Sequence, residues 1–263
     1  MSSSTMSTVE VERDGAVAHV WFNRPDIHNA ISAELGAELS TTLRQLAHDD
    51  AVRVVVLGGR GPSFCAGADI GAMKASAAAS FEVNLAEAEK LARMFAALAD
   101  FPKPVVGRIH GNVLGGGMGF CCACDIAVAA DDAKFGLTEA RLGIIPGLIS
   151  AYVLRRLGDR NARELMLTAE RFGGETALRV GLIHHLTPET GLDAKVDERV
   201  AELLKAGPAA QARIKRLLAH WANTPWDEYR ESLPYALAEV RATEEARDGL
   251  AAFFEKRKPR WME

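Results

Sequence analysis

The sequence predicts an α/β protein, with a core of alternating strands and helices over residues 1–195 and an all-helical region over residues 196–263. Three observations carry this. Short β-branched runs alternate with apolar stretches repeating at three and four as far as about Val196, two of those runs lead into glycine-rich turns, and beyond Val196 only the helical period survives. The 263 residues, 48% hydrophobic and 25% charged, suffice for one large core with an appendage.

The elements follow in order. Val9 and Val11, then Val17 to Phe22, flank Asp14-Gly15, a hairpin signal, so the chain opens with two antiparallel strands. Ser32 caps a helix whose apolar face is Leu35, Leu39, Leu43 and Leu46 and which stops before Asp49-Asp50. Val52 to Leu57 is a β-branched run closed by Gly58-Gly59, the pattern of a parallel strand buried on both faces. Gly61 to Asp69 reads as a loop, and the Ala-rich Ala72 to Ala79 as a mobile one. Phe81, Leu85, Ala88, Leu91, Phe95 and Leu98 mark a long helix, ended by Phe101-Pro102-Lys103-Pro104. Val105 to Ile109 is a strand, Gly111 to Cys124 a glycine-rich turn and helix, and Ile126 to Ala130 and Leu182 to Leu186 are further strands. Leu203/Leu204, Ile214/Leu217/Leu218, Leu233/Leu237/Val240 and Phe253/Phe254 mark successive helices of the carboxy-terminal region.

Composition excludes several functions. With 31 Lys plus Arg against 35 Asp plus Glu, a net charge of −4, the chain lacks the basic face of a nucleic-acid binder. The most apolar stretch, Phe120 to Ala130, is interrupted by Asp125 and falls short of the roughly 20 residues of a membrane span. Met1 to Glu10 carries neither a secretory nor a transit pattern, so a cytoplasmic location is expected. Cys65, Cys121, Cys122 and Cys124 read as buried thiols, not a disulfide framework or a zinc site. The seven histidines show no triad or metal spacing, with His110 at a strand end expected to line the active-site pocket, and Ser63 lacks a nucleophile elbow.

The chemistry concentrates on glycine. Gly115-Gly116-Gly117-Met118-Gly119 lies between a strand and a helix, where a nucleotide loop would also lie. The dinucleotide fingerprint needs a sixth-position glycine, and that position holds Phe120 counted from Gly115 and Cys122 counted from Gly117; no Gly-Lys-Ser/Thr follows either. What the run does offer is bare N–H groups at a helix amino terminus, the makings of an oxyanion hole. A second bare turn, Ser63 to Ile70, follows the preceding strand.

Asn23-Arg24-Pro25 with Asn29-Ala30, Phe64 to Ile70, Gly111 with Leu114 to Gly117, Cys124-Asp125-Ile126, Lys134-Phe135-Gly136, Glu139 with Leu142 to Gly147, and Phe254 to Pro259 run in order through essentially the whole chain. Together they resemble the enoyl-CoA hydratase/isomerase family, the crotonases. The resemblance implies a crotonase-like spiral of β-β-α repeats with a carboxy-terminal helical trimerisation region, and homotrimers that often pair into hexamers. It implies acyl-CoA thioester substrates and no cofactor beyond the coenzyme A of the substrate. By position, the amides of Ala66 and Gly116 bind the thioester oxygen. Coenzyme A lies against Asp26 to His28 and, at its adenine end, the strip Ala66, Ala68, Asp69 and Ile70; Phe253 and Lys256 come from a neighbouring chain. The basic tail Lys256 to Arg260 is either a solvated end or an attractor of phosphate.

Hydratases of the family carry two glutamates. Their first position falls on Gly119 and their second on Glu139, which leaves Glu139 as the single acid/base and Gly119 as an opening in the substrate pocket. Asp69 and Asp125 are near in sequence but fall where the family uses structural residues. Leu148 to Val153 replaces a commoner run of small residues and, with Gly119, resembles the bacterial methylglutaconyl-CoA and isohexenylglutaconyl-CoA hydratases, whose substrates bring a carboxylate of their own. The expectation is hydration of a 2-enoyl-CoA thioester. The alternatives are an isomerase working with one glutamate, or a non-catalytic acyl-CoA binder.

Overall fold

Gly15, at φ +54°, turns the chain between β1 (Val9–Asp14) and β2 (Val17–Phe22), which pair antiparallel from Val9 opposite Phe22 to Asp14 opposite Val17. The computed structural model describes residues 7–263; Met1 to Met6, part of the stretch read above for targeting signals, lie outside them. The hydroxyl of Ser32 accepts the Leu35 N–H at 3.2 Å and starts α1 (Ala33–Ala47), which buries the expected leucine stripe.

The fully buried β3 (Val54–Gly59) runs parallel to β2 and begins two residues later than the β-branched run. A helix, α2 (Ile70–Ala78), replaces the expected mobile loop: the Asp69 carboxylate accepts the Gly71 and Ala72 N–H groups (2.7 and 3.2 Å), and alanine propagates what that cap nucleates. None of its residues is buried. The long α3 (Phe81–Ala99) buries Met94, Phe95 and Leu98, all in its second half.

Then follow β4 (Val105–Ile109), β5 (Asn112–Leu114), α4 (Gly116–Ala123), β6 (Ile126–Ala130), β7 (Lys134–Gly136), α5 (Ser150–Thr168, broken at Gly158), β8 (Arg171–Gly173), α6 (Gly174–Arg179), β9 (His185–Thr187) and α7 (Leu192–Leu204). One sheet has the order β1-β2-β3-β4-β6-β9, parallel beyond its first pair; the other is β5-β7-β8. Leu182 and Ile183, read as strand, are buried residues of the preceding turn, and pairing starts only at His185 opposite Val128. One core cluster includes the side chains of Phe22, Phe64, Phe120 and Phe135 and the leucines of α1.

The chain divides into two compact units. One comprises the described residues as far as Phe101 together with Val105–Asp197, the other Pro102–Pro104 together with Glu198–Glu263. The second unit contains α8 (Pro208–Asn223), α9 (Trp226–Arg241) and α10 (Glu244–Glu255). There the Glu245 carboxylate takes the first amides of α8, at Ala209 and Ala210 (2.9 and 2.8 Å). Among the described residues no helix is long and apolar enough to cross a membrane, and no cluster of His, Cys, Asp and Glu is set to hold a metal ion.

Candidate active site

Two turns from successive strands meet in the first unit. After β3 the chain bonds to the segment around β5: Phe64 N–H to the His110 carbonyl, Cys65 N–H to Asn112, and Leu114 N–H back to Cys65, each at 2.9 to 3.0 Å. Cys65 thereby pairs parallel with Val113. Beyond that pair both chains leave the strand conformation, at Gly67 (φ +98°) and at Gly115 (φ +49°). The backbones touch there: a Cβ at Gly115 would stand 3.8 Å from the Gly67 Cα, and one at Gly117 would lie 2.2 Å from the Cys65 carbonyl oxygen.

The amides of this junction sort themselves. Ala66, the expected first donor, is a correction: its N–H donates to the His28 carbonyl at 2.9 Å and is not available to a ligand. Two residues on, the Ile31 N–H bonds the Gly67 carbonyl and the Ile31 carbonyl accepts from Asp69 (2.8 and 3.0 Å), leaving the N–H of Ala68 between them with no acceptor among the described residues. Gly116, as expected, presents a bare amide: it is the first residue of α4, where no intrahelical acceptor exists. Ala68 and Gly116 thus each offer an unengaged donor, the second at a helix amino terminus that favours negative charge.

Glu139 stands beside Gly115, the residue before the Gly116 amide. It lies in a 3-10 turn, Thr138–Leu142, tied to the second glycine turn by the Gly115 N–H on the Gly136 carbonyl (2.9 Å). Its Oε1 is 3.2 Å from where a Gly115 Cβ would be, so a side chain at 115 would press on the carboxylate, and the φ of +49° at that position also favours glycine. The other oxygen, Oε2, is buried with no hydrogen-bond partner. Burial pushes the Glu139 carboxyl above its ordinary range, against a smaller opposing contribution from its own backbone N–H. A half-buried acid with an unpartnered oxygen is poised to give or take a proton.

The remaining expected residues are placed as follows. Asp26 and His28 are exposed in and after the 3-10 turn Pro25–Ile27, with His28 Nδ1 3.0 Å from the Ser63 hydroxyl. Asp69 caps α2 and pairs with Arg24 at 3.0 Å; burial pushes its carboxyl up, but the Ala72 and Gly71 amides and Arg24 outweigh it and hold it below the usual value. Ile70 is exposed at the start of α2. Asp125 accepts the Val105 N–H (2.7 Å), a structural role. Gly119 is no opening: the space its side chain would take is filled by Ile149 and Phe95, a contact that sequence reading missed. Phe253 and Lys256 belong to the second unit, both exposed on α10 and its carboxy-terminal cap. In the basic tail, Arg257 pairs with Asp248 and Glu255.

A separate cleft of about 650 Å³ opens on the outer face of β2, β3 and β4, and His110 lines it. Its arginines are paired, Arg108 with Asp193 and Arg60 with Glu10 and Glu12, and it includes neither Glu139 nor the glycine turns.

Unengaged amides and one raised carboxyl are the groups with which a protein can polarise a carbonyl and move a proton beside it. The comparisons name the class: residues 12–263 match the enoyl-CoA hydratase/isomerase family model, and the chain belongs to that family. It is 32% identical over 259 residues to a short-chain-enoyl-CoA hydratase of Clostridium acetobutylicum, covering 96% of this chain and 97% of that one. Its fold, the crotonase fold expected above, is similar to an enoyl-CoA hydratase of Shewanella pealeana (TM-score 0.93, 36% identity, 98% and 97% of the two chains). It is equally similar to AtuE of Pseudomonas aeruginosa (TM-score 0.94, 36% identity, 97% and 100%).

Proposed function

We propose that this protein is an enoyl-CoA hydratase, adding water across the 2,3 double bond of a 2-enoyl-CoA thioester. The observation that carries the reading is the Glu139 carboxyl, half-buried and with one oxygen unpartnered, against the Gly115 turn that leads into the Gly116 amide. The thioester oxygen accepts from both amides. As the water oxygen bonds to C3, Glu139 takes its proton and the double-bond electrons move onto the thioester oxygen as an enolate; the protonated Glu139 then returns a proton to C2. Atoms and charge balance without a cofactor. Each amide contributes about 3 to 4 kcal/mol to the transition state.

One carboxylate must then serve both transfers, and a second group must hold the water. A substrate with its own carboxylate, of the 3-methylglutaconyl-CoA kind, supplies that group. The test is loss of the conjugated enoyl-thioester absorbance with 3-methylglutaconyl-CoA and with crotonyl-CoA. Faster turnover of the first is expected, and equal or better turnover of crotonyl-CoA rejects the carboxylate's role. The hydrocarbon wall at Gly119 favours a second reading, isomerisation of a 3-enoyl to a 2-enoyl thioester by Glu139 alone, which would create the absorbance. A non-catalytic binder would change neither signal.

Assembly as a homotrimer, or a hexamer of two trimers, is supported by the exposed Trp226, Tyr235, Phe253 and Phe254 of the second unit, with Phe253 and Lys256 reaching a neighbour's coenzyme A. Light scattering on the purified protein gives the mass, and a monomer rejects the assembly.

A further inference from the structure

The first turn of α4 has two unlike faces. At Gly115 the missing side chain is replaced by the Glu139 carboxylate. Gly116 and Gly119, three residues apart and therefore on one face, look onto hydrocarbon: the Phe95 ring lies 3.7 Å from the Cβ position of Gly116 and 2.8 Å from that of Gly119. Ile149 completes the wall, with Cγ2 2.3 Å and Cβ 3.1 Å from where a Gly119 Cβ would stand. Real carbon atoms do not approach so closely, so a side chain at 119 requires both Ile149 and Phe95 to shift.

Ile149 is not free to do so. It is 3% exposed and caps α5, its carbonyl accepting the Tyr152 and Val153 N–H groups at 3.1 and 3.0 Å. Its β-branched side chain has little rotamer freedom. Phe95, 2% exposed, is held in turn between Phe120 and Tyr152, at ring separations of 4.9 and 6.0 Å. The wall is therefore a packed unit and the glycine its consequence.

We infer that Ile149 determines specificity: by filling the Gly119 face it restricts the site to one ionisable group and sets hydrocarbon opposite Glu139. Enoyl thioesters that bring their own water-holding polar group are thereby favoured over plain hydrocarbon ones. The coupling between positions 119 and 149 rests on packing alone, whereas the substrate consequence rests on the hydratase reading above.

The experiment compares wild type, Gly119→Glu, Ile149→Gly and the double variant by thermal midpoint and by hydration of crotonyl-CoA and 3-methylglutaconyl-CoA. Gly119→Glu alone should lower the midpoint by at least about 4 °C through overpacking. The double variant should lose less than the sum of the two single losses, because the glycine at 149 removes the nearer of the two clashes and leaves only that with Phe95. Its preference should move toward crotonyl-CoA by at least about tenfold in relative kcat/KM, a shift neither single change produces. Additive midpoint losses overturn the coupling, and an unchanged preference in a folded double variant overturns the specificity role. If the glutamate variants do not fold, Gly119→Ala and Ile149→Ala give the same midpoint cycle. A wild type that hydrates neither thioester refutes the hydratase reading and the substrate consequence, while the midpoints still decide the coupling.

Discussion

Gly117→Ala probes the junction of the two turns. The new Cβ would lie 2.2 Å from the Cys65 carbonyl oxygen and 3.1 Å from its carbon, both backbone atoms. Ordinary contact begins near 3.4 Å, so the turns must part by about 1 Å. The same carbonyl accepts the Leu114 N–H at 3.0 Å, a bond that holds the parallel register and is lost as the turns separate. Overpacking costs about 1 to 3 kcal/mol and the hydrogen bond about 1 more, a thermal midpoint lowered by about 5 to 15 °C in a chain of this length. Parting the turns also moves the Gly116 amide from the Ala68 amide, and misplacing one donor costs about 10² to 10³ in kcat. Circular-dichroism melts and the enoyl-thioester absorbance assay measure the two effects. A variant within twofold of wild-type turnover, at an unchanged midpoint, refutes the claim that this contact spaces the two donors.

Glu139→Gln should lower turnover at least about 100-fold while acyl-CoA still binds, measured by kinetics and calorimetry; unchanged turnover removes Glu139 from the mechanism. Because burial raises the Glu139 carboxyl, the folded state holds its proton above the pH at which the unfolded chain releases it, so stability from this group is present at low pH and lost as pH rises through the folded value. The stability of Glu139→Gln relative to wild type should therefore increase from about pH 4 to pH 8 in urea melts, and a flat difference contradicts the assigned direction. Asn29 is fully buried at φ +56°, accepting the Arg24 N–H (2.8 Å) and donating to the Arg60 and Ser63 carbonyls (2.9 and 2.7 Å); Asn29→Ala should cost about 3 kcal/mol, and a loss under about 1 in denaturant titration would show those groups finding other partners. Burial pushes the Cys65 and Cys121 thiols up to about 12, so the native protein should not react with a disulfide reagent at pH 8 until denatured, and rapid native labelling would contradict the burial.

Where one local interaction decides an element, the sequence shows it. Asp14-Gly15 makes its hairpin, Ser32 its helix cap, and the leucine stripe of α1 its buried face. The strands β5, β7 and β8, three residues each, carry too few positions for any period to appear, and their pairing is fixed by chain distant in sequence. Asp69 was legible as an acid but not as the cap that turns an alanine run into α2. The site divides in the same way. The glycine turns stand out because consecutive glycines are chemically distinctive, whereas Glu139, one acid among 35, is singled out only by the family resemblance. Ile149 does not, since an isoleucine before a helix reads as ordinary core until its contact with Gly119, thirty residues earlier, is seen.

The choice between Ala66 and Ala68 turns on one dihedral angle. In a regular strand, amides two apart point to the same edge. Here the residues donating to the 28–31 segment are Ala66 and Asp69, three apart, so one residue is out of phase between them. Gly67, at φ +98° and with only 3.1 Å between its Cβ position and the Leu114 carbonyl oxygen, breaks the alternation as a bulge does. Without that break, residue 68 would donate to the segment that holds Ala66, and no amide from this turn would remain for a ligand. The glycine between two alanines thus sets both which alanine keeps an unengaged amide and that one keeps it at all, and composition alone cannot distinguish the two because they are chemically identical.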